Sequence, residues 1–181
     1  CSSSSSPSSC SFCCRCCYRC CWAMASHSRR KPFVGANWKC SLESLEKVDA
    51  LLADLNSQPP RHGVELCVFP PYVFLDRART QLCQEIRVGS QNAWDAAHGF
   101  ACTGVVSADM LKAIGCDWVL LGHSDRRNVL GETDALIAEK VAKCLASGLQ
   151  VNLTIGEKLE AREAGDALGT LFRQLGAAAE G

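Results

Sequence analysis

The fold is decided by ten residues in which a short apolar run ends in glycine and polar side chains follow at once. This stretch is Trp118-Val119-Leu120-Leu121-Gly122-His123-Ser124-Asp125-Arg126-Arg127. An apolar run this short is typical of a strand buried on both faces of a parallel sheet. In α/β proteins the catalytic groups collect at the carboxyl ends of such strands, so His123 lies where a catalytic side chain is expected. The alternative is an ordinary loop histidine, and the other strand ends must decide.

Four more strand-like segments surround this one, and a helical pattern follows each of the five. The strands are predicted to begin near residues 33, 64, 86, 117 and 150. Alternating βα units imply parallel strands with right-handed crossovers. Five such units fit either a doubly wound open sheet or the first five units of a (β/α)8 barrel. The glycine-rich phosphate loops that accompany nucleotide-binding open sheets are missing from this sequence.

The helices are predicted from apolar residues at helical spacing and from polar residues that can cap them. Ser41, Ser107 and Thr133 are the predicted N-caps of three helices. A further helix is predicted over residues 73–84, and the segment from 158 to 181 is helix-like. Residues 92–106 are predicted to be a long polar loop, and loops of this length tend to be functional.

Charge and cysteine are distributed unevenly along the 181 residues. Residues 1–32 hold five of the 19 Lys and Arg and no acid, so the remainder carries 14 basic and 19 acidic side chains. A mildly acidic body argues against a nucleic-acid partner, which needs clustered positive charge. No apolar run approaches the roughly 18 residues of a membrane span. Six scattered cysteines follow residue 21, which favours a reducing compartment over a disulfide framework.

Residues 1–31 differ in texture from the rest and are predicted to be a leader outside the fold. The segment begins with a serine run and continues into a cysteine cluster at residues 13–21, and the first methionine is Met24. A Ser-rich, basic, acid-poor segment is typical of a transit peptide. Residues 1–23 could instead be translated leader ahead of a start at Met24. A zinc site is the third interpretation, although the Cys pairs overlap and no second spaced pair follows.

Motifs at several strand ends, taken together, resemble the triosephosphate isomerase family. The resemblance runs from about Phe33 to Gln174, and its motifs are Gly35–Cys40, Pro70–Tyr72, Gln91–Asn92, Ala101–Gly104, Gly122–Arg127, Ile155–Lys158 and Arg162–Gly165. It implies a (β/α)8 TIM barrel, of which residues 32–181 carry about five of the eight βα units. Without the resemblance, periodicity leaves the barrel and the open sheet unresolved.

The activity implied by this resemblance is interconversion of dihydroxyacetone phosphate and D-glyceraldehyde 3-phosphate through an enediolate. His123 would be the neutral electrophile that polarises the carbonyl, while Lys39 and Asn37 would bind the substrate. Supporting roles fall to Ser124, Asp125 and Arg126, which follow the histidine in the motif. The polar stretch after His123 could begin a short helix, whose N-terminus disfavours an imidazolium. The resemblance implies no cofactor and no metal.

The family is dimeric, and its third loop docks into the partner subunit, so a homodimer is expected with Thr103 reaching toward the partner's site. Three positions depart from the family pattern. Asp125 stands where the family has glutamate, so its contact toward Lys39 is expected to be weaker. Val105 replaces a glutamate of the docking loop, and Thr154 replaces a cysteine near the site.

The largest departure is that the family's glutamate base, which follows strand six, and its phosphate-binding strands seven and eight have no counterpart in these residues. Glu157 and Glu163 do not match the base. The barrel is therefore expected to be truncated after strand five, and the alternative to an isomerase is a non-catalytic fragment. We predict no measurable turnover for residues 1–181 alone. Glycolysis and gluconeogenesis favour the cytoplasm, whereas a genuine transit peptide would indicate a plastid.

Overall fold

Five short strands form one parallel sheet in this computed structural model, which describes residues 30–94 and 102–180. The strands are β1 (Phe33–Asn37), β2 (Glu65–Phe69), β3 (Ile86–Ser90), β4 (Trp118–Leu121) and β5 (Gln150–Leu153). Each begins within one residue of its predicted start. The predicted leader, residues 1–31, lies almost entirely outside the described residues, as does part of the long loop.

The strands lie in the sheet in the same order as in the chain, β1-β2-β3-β4-β5. This order distinguishes the two architectures that periodicity left open. A doubly wound sheet reverses direction at a switch point, whereas a barrel adds each new strand beside the last. The sheet is therefore five consecutive units of a (β/α)8 arrangement. Its parallel pairing brings all five carboxyl ends to one edge.

Six helices alternate with the strands in the described part of the chain. They are α1 (Leu45–Ser57), α2 (Leu75–Gln81), α3 (Ala108–Ala113), α4 (Asp134–Ala146), α5 (Leu159–Glu163) and α6 (Ala167–Glu180). Two predicted N-caps are confirmed, because Ser107 and Thr133 accept hydrogen bonds from the backbone N–H of Met110 and Leu136. Such bonds satisfy N–H groups that have no partner inside the helix.

The predicted cap at Ser41 is wrong. Helix α1 begins at Leu45, and the Ser44 hydroxyl accepts from the Lys47 N–H at 3.3 Å. Leu42 has a left-handed backbone with φ of 68°, so a right-handed helix cannot pass through it. The Ser41 hydroxyl instead donates to the carbonyl of Trp38 at 2.5 Å.

Two other helix predictions differ from the structure at their boundaries. The helix expected over residues 73–84 begins as a 3₁₀ turn, Tyr72–Phe74, and its α-helical part ends at Gln81. The segment after residue 158 that was predicted to be helix-like consists of two helices, α5 and α6. Gly165 lies between them with φ of 76°, a conformation that glycine adopts without steric cost.

The core lies between the outer face of the sheet and the helices. Val68, Val88, Val119 and Leu121 project from the sheet and are fully buried against side chains of the helices, including Val48 and Leu52 of α1, Leu111 of α3 and Ile137 of α4. This layer fixes the strand ends relative to one another. None of the helices in residues 30–94 and 102–180 is long and apolar enough to cross a membrane.

The inner face of the sheet carries a smaller cluster of Cys67, Phe69 and Leu120, with Trp118 packed against it. Gly89 leaves room for the Phe69 ring, because a Cβ at Gly89 would overlap that ring and would lie 2.9 Å from the Trp118 Cβ. This glycine is therefore required by a close approach of side chains and not by its backbone angles.

Candidate active site

A cleft of about 290 Å³ opens at the carboxyl edge of the sheet. Its lining residues lie at the carboxyl ends of four of the five strands. Asn37 is the last residue of β1, and the others are Lys39 and Cys40 after β1, Tyr72 after β2, Gln91 and Asn92 after β3, and His123, Asp125, Arg126 and Leu130 after β4. The structure thus brings together every predicted catalytic and substrate-binding residue, along with Asp125 and Arg126. These groups meet because parallel strands deliver their carboxyl ends to one edge.

His123 is held in a defined orientation by the turn that follows it. The Asp125 N–H donates to Nδ1 of His123 at 3.1 Å, and one turn of π-helix, Asp125–Val129, begins there. Since a main-chain N–H cannot be turned away, Nδ1 must present a lone pair, and the ring hydrogen lies on Nε2. The side chain is 20 % exposed, so a donor on Nε2 is accessible from the cleft.

Asp125 links the histidine to Lys39. One of its carboxylate oxygens, Oδ2, lies 3.3 Å from the Lys39 ammonium and 3.3 Å from Nδ1 of His123. The contact to Nδ1 cannot be a hydrogen bond from the ring, because the backbone N–H already occupies that nitrogen. The contact to Lys39 is longer than the roughly 2.7–2.9 Å of a strong charged hydrogen bond.

The backbone of Lys39 is left-handed, with φ of 52°. Side chains satisfy both of its main-chain polar groups. Its N–H donates to Oδ1 of Asn37 at 2.9 Å, and its carbonyl accepts from Nε2 of Gln91 at 2.8 Å. A left-handed conformation is costly for a residue with a Cβ, and such strain collects at functional sites. Asn37 therefore stabilises the left-handed turn at Lys39, called the lysine turn below, in addition to lining the cleft.

A buried charged cluster lies behind the cleft. One carboxylate oxygen of Glu132, Oε1, accepts from Arg126, from Lys140 at 2.7 Å and from Asn92 at 3.2 Å. Lys140 is fully buried and Glu132 is 7 % exposed. Burial alone raises the pKa of Glu132, but the hydrogen bonds and charges of Lys140 and Arg126 outweigh it and leave that pKa below its ordinary value of 4.5.

Comparison with known proteins identifies the fold family of this site. Residues 32–181 match the family described as triosephosphate isomerase. The chain belongs to the triosephosphate isomerase family. The chloroplastic triosephosphate isomerases of Arabidopsis thaliana and Secale cereale are 45 % and 43 % identical to it over 150 residues, which is 83 % of this chain and 47 % and 50 % of those proteins. The cytosolic triosephosphate isomerase of Oryza sativa subsp. japonica is 44 % identical over 153 residues, 83 % of this chain and 60 % of that protein.

The chain thus spans about half the length of the curated triosephosphate isomerases it matches. Both chloroplastic and cytosolic proteins are among these relatives. The family match begins at residue 32, where the serine- and cysteine-rich segment ends.

The remaining residues predicted from the triosephosphate isomerase resemblance lie at the margin of the site or outside it. Ser124 is exposed, precedes the π-helical turn and makes no capping hydrogen bond. Thr103 is exposed in a turn next to Gly104 and does not line the His123 cleft. Val105 lines a separate cavity of about 220 Å³ together with Tyr72 and Arg126.

Glu157 and Glu163, both of which follow β5, do not line the cleft. Arg162 donates to Glu157 at 2.8 Å. The pKa of Glu157 is lowered by a hydrogen bond from its own backbone N–H and by this arginine. Glu163 is exposed and does not line the cleft. A structural role is therefore the better interpretation of Glu157.

A larger cavity of about 500 Å³ lies between the turn after β4 and helix α6. Arg127, the buried cation that lines this cavity, already donates hydrogen bonds to the carbonyl of Gly122 and to Asp134, both at 2.6 Å. Arg173 also contacts Asp134 at 3.3 Å. The smaller cleft is the better candidate for chemistry, because it presents an accessible imidazole donor and an exposed ammonium.

Sequence reasoning missed Gln91 as a support of the lysine turn and missed the cluster of Glu132 and Lys140. Gln91 carried a usable signal, since it directly follows β3 at the edge where the site lies. Lys140 carried another, because it falls three residues after Ile137 on the buried face of α4. A lysine on an apolar helix face needs a buried acidic partner, and Glu132 is that partner.

Proposed function

We propose that this site belongs to an aldose-ketose isomerase that interconverts dihydroxyacetone phosphate and D-glyceraldehyde 3-phosphate, in glycolysis and gluconeogenesis. The observation that carries the proposal is the arrangement of His123 and Lys39 around Asp125. An imidazole with its hydrogen on Nε2 and an ammonium face one cleft. Both groups suit a carbonyl oxygen on which negative charge develops. The names of the curated relatives support the same substrates.

In the proposed reaction, a base removes a proton from the hydroxyl-bearing carbon next to the carbonyl and returns it to the former carbonyl carbon. The hydroxyl proton passes to the former carbonyl oxygen. His123 donates from Nε2 to the oxygen as the enediolate forms, and a neutral imidazole in this role is the established chemistry of the family. Lys39 stabilises the negative charge of the oxygen and of the phosphate. Asn37 positions the substrate next to them.

The proposed base lies outside the cleft lining described above. Among the residues described, Asp125 is the sole carboxylate that lines the cleft, and it is already paired with Lys39. We propose that a segment outside residues 30–94 and 102–180 supplies the carboxylate. The same observation favours a second function, a non-catalytic fragment of an isomerase.

The first test measures isomerisation of glyceraldehyde 3-phosphate by the protein at its full natural length. His123→Ala should lower kcat about 10²–10⁴-fold, as expected for loss of a group that donates in the transition state. Gln84→Leu, at an exposed position on the opposite end of β3, is the matched control and should leave kcat unchanged. Equal activity of parent and His123→Ala protein would overturn the proposal.

The second test separates the isomerase from the fragment. Residues 1–181 alone should show no turnover above that of their His123→Ala variant. Adding the remaining C-terminal segment of a curated relative as a separate chain should restore activity if the two pieces complete one site. Turnover by the chain alone would contradict the assignment of the base to another segment.

We also propose a homodimer, with Thr103 facing the partner subunit, and a domain at residues 32–181 preceded by a leader at 1–31. The exposed turn at Thr103 and the start of the family match support these points. Light scattering of the parent and of Thr103→Asp gives the oligomeric state, and the variant should dissociate.

For location we propose the cytoplasm, with a plastid as the alternative if residues 1–23 are a transit peptide. The relatives include both chloroplastic and cytosolic proteins, so they do not favour one over the other. Fluorescence microscopy of residues 1–31 fused to a fluorescent protein in plant cells decides between them. Diffuse cytoplasmic signal supports the proposal, and import into plastids overturns it.

A further inference from the structure

We propose that Gln91 is a positioning residue, whose side-chain amide fixes the backbone of Lys39 and so aims the Lys39 ammonium into the cleft. This inference rests on the proposed function, because it assigns Gln91 a role at the same site. Its basis is a single amide nitrogen that serves two carbonyls. Nε2 of Gln91 donates to the carbonyl of Lys39 at 2.8 Å and to the carbonyl of Phe69 at 2.8 Å.

These two bonds connect three strands just beyond their carboxyl ends. Phe69 ends β2, Lys39 lies two residues after β1, and Gln91 directly follows β3. The carbonyl of Phe69 also accepts from the N–H of Trp38 at 3.1 Å, which is the last main-chain bond between these two segments. The Gln91 side chain thus adds one more hydrogen-bonded link across the three strands, beyond the last main-chain bond. This link lies where the lysine turn leaves the sheet.

The lysine turn needs such support because Lys39 is left-handed, with φ of 52°. Leu42, three residues later, is also left-handed with φ of 68°. A chain segment with two such residues relaxes toward right-handed or extended angles unless hydrogen bonds hold it. Asn37 accepts a hydrogen bond from the N–H of Lys39, and Gln91 donates one to its carbonyl. The two side chains therefore fix both main-chain polar groups of this residue.

The position of the Lys39 ammonium depends on these two hydrogen bonds. The Lys39 side chain is 59 % exposed, and its contact with Asp125 at 3.3 Å is exposed as well. An exposed ion pair of this kind is too weak to orient a flexible lysine by itself. The backbone direction at Lys39 therefore determines which volume the ammonium samples, and Gln91 sets that direction.

The experiment compares Gln91→Leu and Gln91→Glu with the control Gln84→Leu in the complete natural protein. Both Gln91 variants remove the amide N–H, while the second keeps the size and polarity of the side chain. The first readout is the intraresidue NOE between the amide and Hα protons of Lys39, which is strong when φ is positive. Both Gln91 variants should weaken it, and Gln84→Leu should leave it unchanged.

The second readout is a double-mutant cycle with Lys39→Met. Gln91→Leu should lower kcat/KM about 10–100-fold when Lys39 is present, since misplacing a group by about 1 Å costs this much. It should have less than about a twofold effect when Lys39 is already methionine, because the two residues act as one unit. Equal losses in both backgrounds would show a general structural role and overturn the proposal.

The outcomes keep the two claims apart. A parent protein that does not isomerise triose phosphates refutes the proposed function, and the NOE at Lys39 still decides the role of Gln91. An NOE that is unchanged in both Gln91 variants overturns the positioning role even if activity is present. Should Gln91→Leu fail to fold, Gln91→Glu gives the same comparison with the shape of the side chain preserved.

Discussion

The backbone N–H of Asp125 donates to Nδ1 of His123 at 3.1 Å, so the main chain, and not a side chain, determines which ring nitrogen carries hydrogen. A main-chain donor is insensitive to substitution at its own position. The carboxylate of Asp125, 3.3 Å from the same nitrogen, is directed instead at Lys39. Orientation of the imidazole and pairing with the ammonium therefore use different atoms of one residue.

Asp125→Asn should leave the His123 tautomer unchanged, because it removes the carboxylate and keeps the N–H. Nitrogen-15 NMR of the imidazole should show the hydrogen on Nε2 in both parent and variant. Binding of glycerol 3-phosphate should change, since the amide no longer pairs with the Lys39 ammonium. Appearance of the hydrogen on Nδ1 in either protein would contradict the structural assignment.

Glu132→Gln should lower the free energy of unfolding by about 3–5 kcal/mol, because it leaves the fully buried Lys140 without a charged partner. Glu157→Gln is the control, since its arginine partner is 72 % exposed, and its cost should stay below about 1 kcal/mol. Urea unfolding measures both. A cost for Glu132→Gln no larger than that of the control would mean that the cluster contributes little.

The contribution of Glu132 should depend on pH. The folded-state pKa of Glu132 lies below 4.5, so the charged form of this carboxylate is more stable in the folded protein than in the unfolded chain. The resulting stabilisation is fully present above pH 4.5 and is lost as the pH falls through the lowered folded-state pKa. Unfolding curves of parent and Glu132→Gln should converge in acid. A gap that widens as the pH falls would refute this sign.

Gly89→Ala should destabilise the protein by about 1–3 kcal/mol, since the new methyl group overlaps the Phe69 ring and the core cannot expand cheaply. Gly176→Ala is the matched substitution, because nothing beyond its chain neighbours and the backbone of α6 lies within 4 Å of the place that its methyl group would take. It should instead stabilise by about 0.5–1 kcal/mol through helix propensity. Thermal unfolding gives both signs, and a neutral Gly89→Ala would show that Phe69 moves freely.

Ser44→Ala should cost about 1 kcal/mol, because the Ser44 hydroxyl caps α1. Ser41→Ala should not affect the first turn of that helix, since its hydroxyl serves the Trp38 carbonyl. Amide hydrogen exchange of residues 45–48 distinguishes the two. Faster exchange in Ser41→Ala than in Ser44→Ala would show that Ser41 is the N-cap, as the sequence pattern indicated.

The strands and the principal cleft residues could be predicted from the sequence because both follow from local patterns. Short apolar runs define the strands, and the polar residue just after a strand must lie at its carboxyl edge. Asn37, Lys39 and His123 each lie within two residues of a strand end. Parallel pairing then forces them toward one edge without further information.

The supports of the site could not be predicted in this way, because they depend on contacts between distant segments. Gln91 meets the Lys39 carbonyl across 52 residues, and Glu132 meets Asn92 across 40. Ser41 and Ser44 are equally plausible caps by pattern. The left-handed backbone of Leu42, which lies between them, places the start of the helix after Ser44. That conformation cannot be predicted from the sequence, because leucine rarely adopts it.

The sequential order of the strands has a consequence for how this chain is made. Each strand pairs with the one synthesised just before it, so a nascent chain leaving the ribosome always finds its partner already present. The exposed sheet edge on the growing side belongs to the newest strand and is covered when the next one arrives. The seam between β3 and β4 has the fewest paired residues, Gly89 with Trp118 and Ser90 with Val119. A pause in translation at that seam is where the growing sheet is most easily left open.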